Sequence, residues 1–397
     1  MARDLSRLSV DLAAVVVFQN LSSGPVLGPL RELLDARGAG RETRAGKYAG
    51  FLAALYARGC DLGEYLRTAL LEDENLYVKR KGAGKDVPQA LLDCVEEELR
   101  LFSGISATDP EEIRELAGGG NLPRFTNTAY DFAALYHERV AEIHRHGYGI
   151  FAGYTMFQVS GEGKIVPVRS ADKTKMSDLT GYESERKRVA DNTKALLHGL
   201  PAANVLLCGD AGTGKSSTVK AVANLYAPEG VRLLELRKDQ LTMLPRLMGE
   251  LSENPLKFIV FVDDLSFNKN DDCFSSLKAI LEGSSTAKAP NVVIYATSNR
   301  RHLVKETFSD REGDDVHRGD TMQEILSLSE RFGLTVLFAK PDKALYLRIV
   351  RSLAMEKGIQ MPDGELCLKA EAFALRKGGR SARAAEQFTD SLLAAAE

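Results

Sequence analysis

The chain has 397 residues, 44% of them hydrophobic and 27% charged, with a formal net charge of -3. That length admits two or three domains with sizeable cores, and the near balance of charge excludes a chain built as a whole to coat nucleic acid or an anionic membrane. Five cysteines, Cys60, Cys94, Cys208, Cys273 and Cys367, lie far apart without a Cys-x-x-Cys spacing, which argues against a disulfide framework or a zinc site and fits reduced thiols in a cytoplasm.

The first apolar run, Leu12 to Phe18, follows Asp4 and Asp11 and has no small-residue cleavage site. It is too short to cross a bilayer, so the expectation is a soluble cytoplasmic protein with no targeting segment and no membrane partner. Residues 1–150 read as a helical N-terminal domain. Apolar residues recur at helical spacing in Phe51, Leu52, Leu55, Tyr56, again in Leu91, Leu92, Val95, Leu99, and again in Tyr130, Phe132, Leu135, Tyr136, Val140, Ile143. Thr108 and Asp109 before Pro110 and Glu111 mark a helix start, and Gly118–Gly120 marks a break. His137, His144 and His146 fall on a polar helix face or its fraying end, without the further ligands a zinc site needs.

Residues 151–177 read as a β-hairpin and a polar linker: the period changes to two around Tyr154–Val159, Gly161-Glu162-Gly163 turns the chain, and Arg169–Ser177 is polar. From residue 178 to 341 short apolar strands alternate with helices, at Val205–Cys208, Val231–Leu236, Phe258–Val262, Val292–Ala296 and Leu334–Phe338. Unbroken apolar strands of this kind predict a five-stranded parallel sheet covered on both faces. Residues 342–397 are helical in three segments, broken near Gly358–Gly364 and Lys377–Gly379.

The strand Val205–Cys208 runs into Gly209-Asp210-Ala211-Gly212-Thr213-Gly214-Lys215-Ser216 and then a helix. This is the phosphate-binding loop pattern in its strand–loop–helix setting. Glycines let successive N–H groups turn toward phosphate oxygens, and the helix N-terminus adds partial positive charge. Lys215 then reaches the β- and γ-phosphates of ATP, Ser216 ligates Mg2+, and Ser217 follows in the cradle. A second strand ends in Asp263-Asp264, at the end of a parallel strand where ligands bind. Asp263 is placed to hold the magnesium and Asp264 to polarise the attacking water. An ordinary strand-end turn is the competing reading of that pair. The interval between the motifs accommodates one additional strand.

These motifs, with Tyr295-Ala296-Thr297-Ser298-Asn299, Ser329-Glu330-Arg331-Phe332-Gly333 and Gly379-Arg380-Ser381-Ala382-Arg383, follow the order of the AAA+ ATPase superfamily, which residues 175–397 resemble. In detail the chain is similar to a bacterial group known as domain-of-unknown-function family 815. The residues that carry this are Asp178-Leu179-Thr180-Gly181-Tyr182, the stretches 204–217, 262–267 and 327–332, and 384–388. The resemblance implies an α/β fold: an AAA+ phosphate-loop core (178–341) with a five-stranded parallel sheet and a C-terminal helical lid (342–397), preceded by the mostly helical domain. It implies Asn299 as the polar sensor that orients water, with Thr297 as fallback. It also implies Arg331 as a finger reaching the γ-phosphate of a neighbouring subunit, and Arg383 as a second sensor on the lid, with Arg380 close enough to compete. Leu179, Gly181 and Tyr182 match the segment that packs on adenine.

Two departures stand out: the second acid is Asp264 where the superfamily has Glu, which points to slow or partner-activated turnover, and Asp310–Asp320 forms a charged insertion. The expected function is an ATPase, acting as a homo-oligomeric ring or partial ring, that remodels or regulates a protein partner bound through residues 1–150. A nucleic-acid-associated ATPase of initiator or helicase-loader type is the alternative, with Lys269, Arg300, Arg301 and Lys305 as phosphate contacts. It is less favoured, because no basic helix or aromatic ladder stands out. A nucleotide-gated scaffold without significant turnover is the third reading.

Overall fold

The computed structural model describes residues 5–265, 277, 280–281, 289–299 and 331–394. The chain divides into two units, Met1–Gly153 and Tyr154–Glu397. The first is all-helical among its described residues, and its longest helices, Arg41–Tyr56 and Gln89–Ser106, carry the periodic apolar residues read from the sequence. Phe18, Phe51, Phe102, Phe132 and Tyr136 are fully or almost fully buried in its core, each such side chain contributing about 1.5–3 kcal/mol relative to exposure. Helix starts are set by side-chain oxygens: Asp61 accepts from the Glu64 amide, Asn75 from that of Val78 and Asp131 from that of Ala134. These bonds satisfy amides that have no partner within the helix. At Asp109 the same device precedes Pro110, as expected. His137 sits half exposed, 2.7 Å from Glu96, and no metal-binding cluster of His, Cys, Asp or Glu exists among the described residues. No described helix is long and apolar enough to cross a membrane.

The second unit is built on seven strands: β1 (Met156–Val159), β2 (Ile165–Pro167), β3 (Val205–Gly209), β4 (Val231–Glu235), β5 (Lys257–Val262), β6 (Val292–Ser298) and β7 (Leu334–Phe338). Their order is β2-β1-β4-β5-β6-β3-β7. The five predicted strands form the parallel core. The hairpin, which the sequence groups with a linker, extends the same sheet: β2 pairs antiparallel with β1, and β1 runs parallel to β4. Strands β3 and β6 are buried along their whole length, as unbroken apolar runs require. Strand β6 runs two residues past its predicted end, to Ser298, because its backbone still pairs with β3 there. Thr297 is therefore a strand residue.

The stretch Arg169–Ser177 is no free linker. The Asn224 side-chain amide, on the helix that follows the phosphate loop, donates to the carbonyls of Asp172 and Thr174 at 2.9 Å each. Met176 packs against the sheet core. After β7 come three helices, Lys343–Glu356, Asp363–Arg376 and Ala382–Ala394. They share a small core of their own around Tyr346, Val350, Ala370, Ala385 and Phe388.

Candidate functional site

Strand β6 lies between β3 and β5, so the residues ending β6 stand between the loop after β3 and the acids after β5. Gly209 closes β3 with φ +139°, and a Cβ there would sit 2.0 Å from the Phe338 carbonyl oxygen. Only glycine permits β7 to run this close to the loop. At the loop's other end Lys215 is 5% exposed. Its Nζ donates to the carbonyls of Gly209 (3.0 Å) and Asp210 (2.7 Å), which holds it under the loop. Burial lowers its pKa, while Asp210 and Asp263 nearby support the charged form.

The Ser216 hydroxyl donates to Asp263 Oδ1 at 2.7 Å. The same oxygen accepts from Thr297 Oγ1 at 2.5 Å. Thr297, 2% exposed, also accepts the amide of Asp264 at 2.8 Å. Asp264 has a left-handed backbone, φ +50°, and its Oδ1 accepts from Asn299 Nδ2 at 2.8 Å. Five residues from two strand ends and one helix start thus meet in one hydrogen-bonded cluster with Lys215 beside it. A hydroxyl and a carboxylate oxygen in contact are a hard, oxygen-only donor set of the kind magnesium takes together with nucleotide phosphates.

These residues line a cavity of about 700 Å³. Ala211, Gly212, Thr213, Gly214, Ser217, Leu179, Tyr182 and Arg383 also line it. Gly181 shapes the wall: its φ is +82°, and a Cβ would meet Leu345 at 2.5 Å. Tyr182 follows with φ +56°. Its hydroxyl donates to the Ala339 carbonyl at 2.6 Å, and burial, then Asp210, pushes its pKa up to about 12. Of the two candidate lid arginines, Arg383 borders the cavity and its backbone amide donates to the Gly212 carbonyl at 3.1 Å. Arg380 instead forms a two-pronged pair with Glu371, at 2.9 and 2.6 Å. Arg331, just before β7, is not among the described residues that line the cavity. Lys269, Arg300, Arg301, Lys305, Cys273 and the Asp310–Asp320 insertion lie outside the described residues.

Sequence reasoning gave Thr297 only a fallback place at the water; the structure gives it another position, as the bridge that fixes both acids. It missed Arg186, Ile349 and Leu353 in the cavity wall. Ile349 and Leu353 were legible as helix residues, but only the folding of the lid over the loop assigns them to the site.

The strand order, the phosphate loop and the acid pair define an α/β P-loop fold followed by three closing helices. The family model described as "Protein of unknown function (DUF815)" matches residues 152–396. That is more than half of the sequence, and the chain belongs to that family. No curated protein matches it. Among solved structures, the Thermotoga maritima RuvB Holliday junction branch migration motor is similar at 14% identity with a TM-score of 0.36, over 55% of this chain and 63% of that chain. Two variants of that motor give TM-scores of 0.37 at the same identity and coverage. The chain thus spans less than two thirds of the length of these relatives.

Proposed function

We propose that this protein binds ATP with magnesium in the cavity and hydrolyses it, using nucleotide state to remodel or regulate a macromolecular partner. The observation that carries the reading is the 2.7 Å contact of Ser216 with Asp263 beside a buried Lys215. The loop amides and Lys215 would hold the β- and γ-phosphates, and Ser216 and Asp263 would hold the ion, which when bound would supply positive charge to the phosphate oxygens. Asp264, aimed by Asn299 and by the Thr297 bridge, orients the attacking water and takes up its proton. Arg383 supports the phosphate tail from the lid. Arg331 acts on the site of a neighbouring copy in a ring or partial ring, and residues 1–150 engage the partner protein.

The test is equilibrium binding of ATP with and without magnesium, together with phosphate release. Lys215→Met should abolish binding. Asp264→Asn should retain binding and lose about 10²-fold or more in turnover. Absence of ATP affinity in the wild type, or wild-type behaviour of Lys215→Met, overturns the proposal. One observation favours a second reading, a nucleotide-gated scaffold: Asp264 is a methylene shorter than glutamate, and one of its oxygens is already engaged by Asn299. Tight ATP binding with negligible wild-type turnover would select it.

A further inference from the structure

Arg186 stands on the helix Glu183–Leu197, four residues beyond Tyr182. It is 7% exposed and lines the cavity. Among the described residues its guanidinium has no hydrogen bond or ion pair. Glu183, which opens the same helix, is already engaged: its carboxylate pairs with Arg348 at 3.0 Å and accepts the Gly181 amide at 3.1 Å. Burial accordingly weakens the hold of Arg186 on its proton. A guanidinium offers five donors, and here they open onto the cavity with no acceptor among the described residues, so they are available to a ligand.

Position says which part of the ligand. Arg186 stands one turn beyond Tyr182, which with Leu179 lines the cavity alongside Ile349 and Leu353 of the lid helix, beside the polar Glu356 and Lys357 at that helix's end. Lys215 is held instead under the phosphate loop, on the carbonyls of Gly209 and Asp210. We propose that Arg186 donates to acceptor atoms of the nucleoside moiety, the ribose oxygens or base nitrogens, and so supplies affinity for a nucleotide over a bare polyphosphate. This rests on the ATP-binding reading above and deepens it.

Calorimetric titration of the full chain with magnesium ATP and with magnesium tripolyphosphate tests it, alongside melting of the ligand-free protein. Arg186→Met should weaken ATP binding about 10- to 100-fold and leave tripolyphosphate within about twofold. It should melt no lower than the wild type, because the guanidinium has no hydrogen bond among the described residues to lose; a purely structural arginine would lower the melting point instead. Arg186→Lys, which keeps the charge without the fork, should fall between and serves if the methionine variant does not fold. Unchanged ATP affinity, or equal weakening of both ligands, overturns the assignment. A wild type that binds neither ligand defeats the ATP-binding reading itself.

Discussion

Thr297→Val is the sharpest test of how the acid pair is held. Valine keeps the shape of threonine and removes one oxygen, which in the native chain donates to Asp263 at 2.5 Å and accepts the Asp264 amide at 2.8 Å. The first bond goes to a carboxylate, worth about 1.5–3 kcal/mol. The second leaves the amide with only a longer contact, 3.2 Å, to Asp263. A net loss of about 2–3 kcal/mol follows, and at roughly 2–4 °C per kcal/mol for a unit of this size the melting point falls by about 5–10 °C. Function should suffer more. Asp264 is held left-handed, a conformation that costs about 1–2 kcal/mol outside glycine, and without the bridge its carboxylate can leave the position where Asn299 meets it. Turnover should drop about 10²-fold, while ATP affinity, set mainly by the loop, changes by less than about tenfold. Thr297→Ser, which restores the hydroxyl, should recover most of both losses. Thermal unfolding and phosphate release read the two effects separately. A valine variant that turns over ATP at the wild-type rate refutes the argument, whatever its stability.

Arg331→Ala should abolish turnover with ATP binding intact, and mixing it with Lys215→Met subunits should restore part of the activity, because the methionine variant lends its Arg331 to the intact site of its neighbour; undiminished turnover of Arg331→Ala alone, or no recovery on mixing, defeats the ring. Gly209→Ala forces a methyl group 2.0 Å from the Phe338 carbonyl oxygen, so β7 must move; soluble expression and melting should both fall well below wild type, and normal melting would show the loop is looser than described. In the first unit burial pushes the Asp61 carboxyl up, but the amides of Glu64 and Thr128 and the Thr128 hydroxyl outweigh it, and its pKa is lowered. Because the folded value lies below the unfolded one, its stabilisation is present above the ordinary carboxyl range and is lost as pH falls through the folded value, below about pH 4. Protection factors in Leu62–Glu72, exchange rates taken relative to the intrinsic rate at each pH, should therefore fall on acidification, and Asp61→Asn should flatten that response.

What the sequence disclosed follows the range of the interactions. The phosphate loop, the acids after β5 and the three closing helices are local patterns, each written in one short stretch of chain, and they read directly. The hairpin's place was not legible because β1 pairs with β4 across two intervening strands and two helices, and nothing in residues 156–159 names that partner. The strap over the phosphate-loop helix depends on Asn224, far along the chain from Asp172. Tyr182 and Asp264 have left-handed backbones that neither residue type announces. Thr297 was visible, but its function as a bridge needed Asp263 and Asp264 placed on the neighbouring strand.

The three closing helices touch the cavity at both ends. Thr180 shares a hydrogen bond with Ser352 and Glu183 pairs with Arg348, both on the first of those helices, while the start of the last helix meets Gly212. Since the three share one core, they tilt together or not at all. A shift of Gly212 would therefore be passed to all three helices as one body, through a single backbone bond at the start of the last of them.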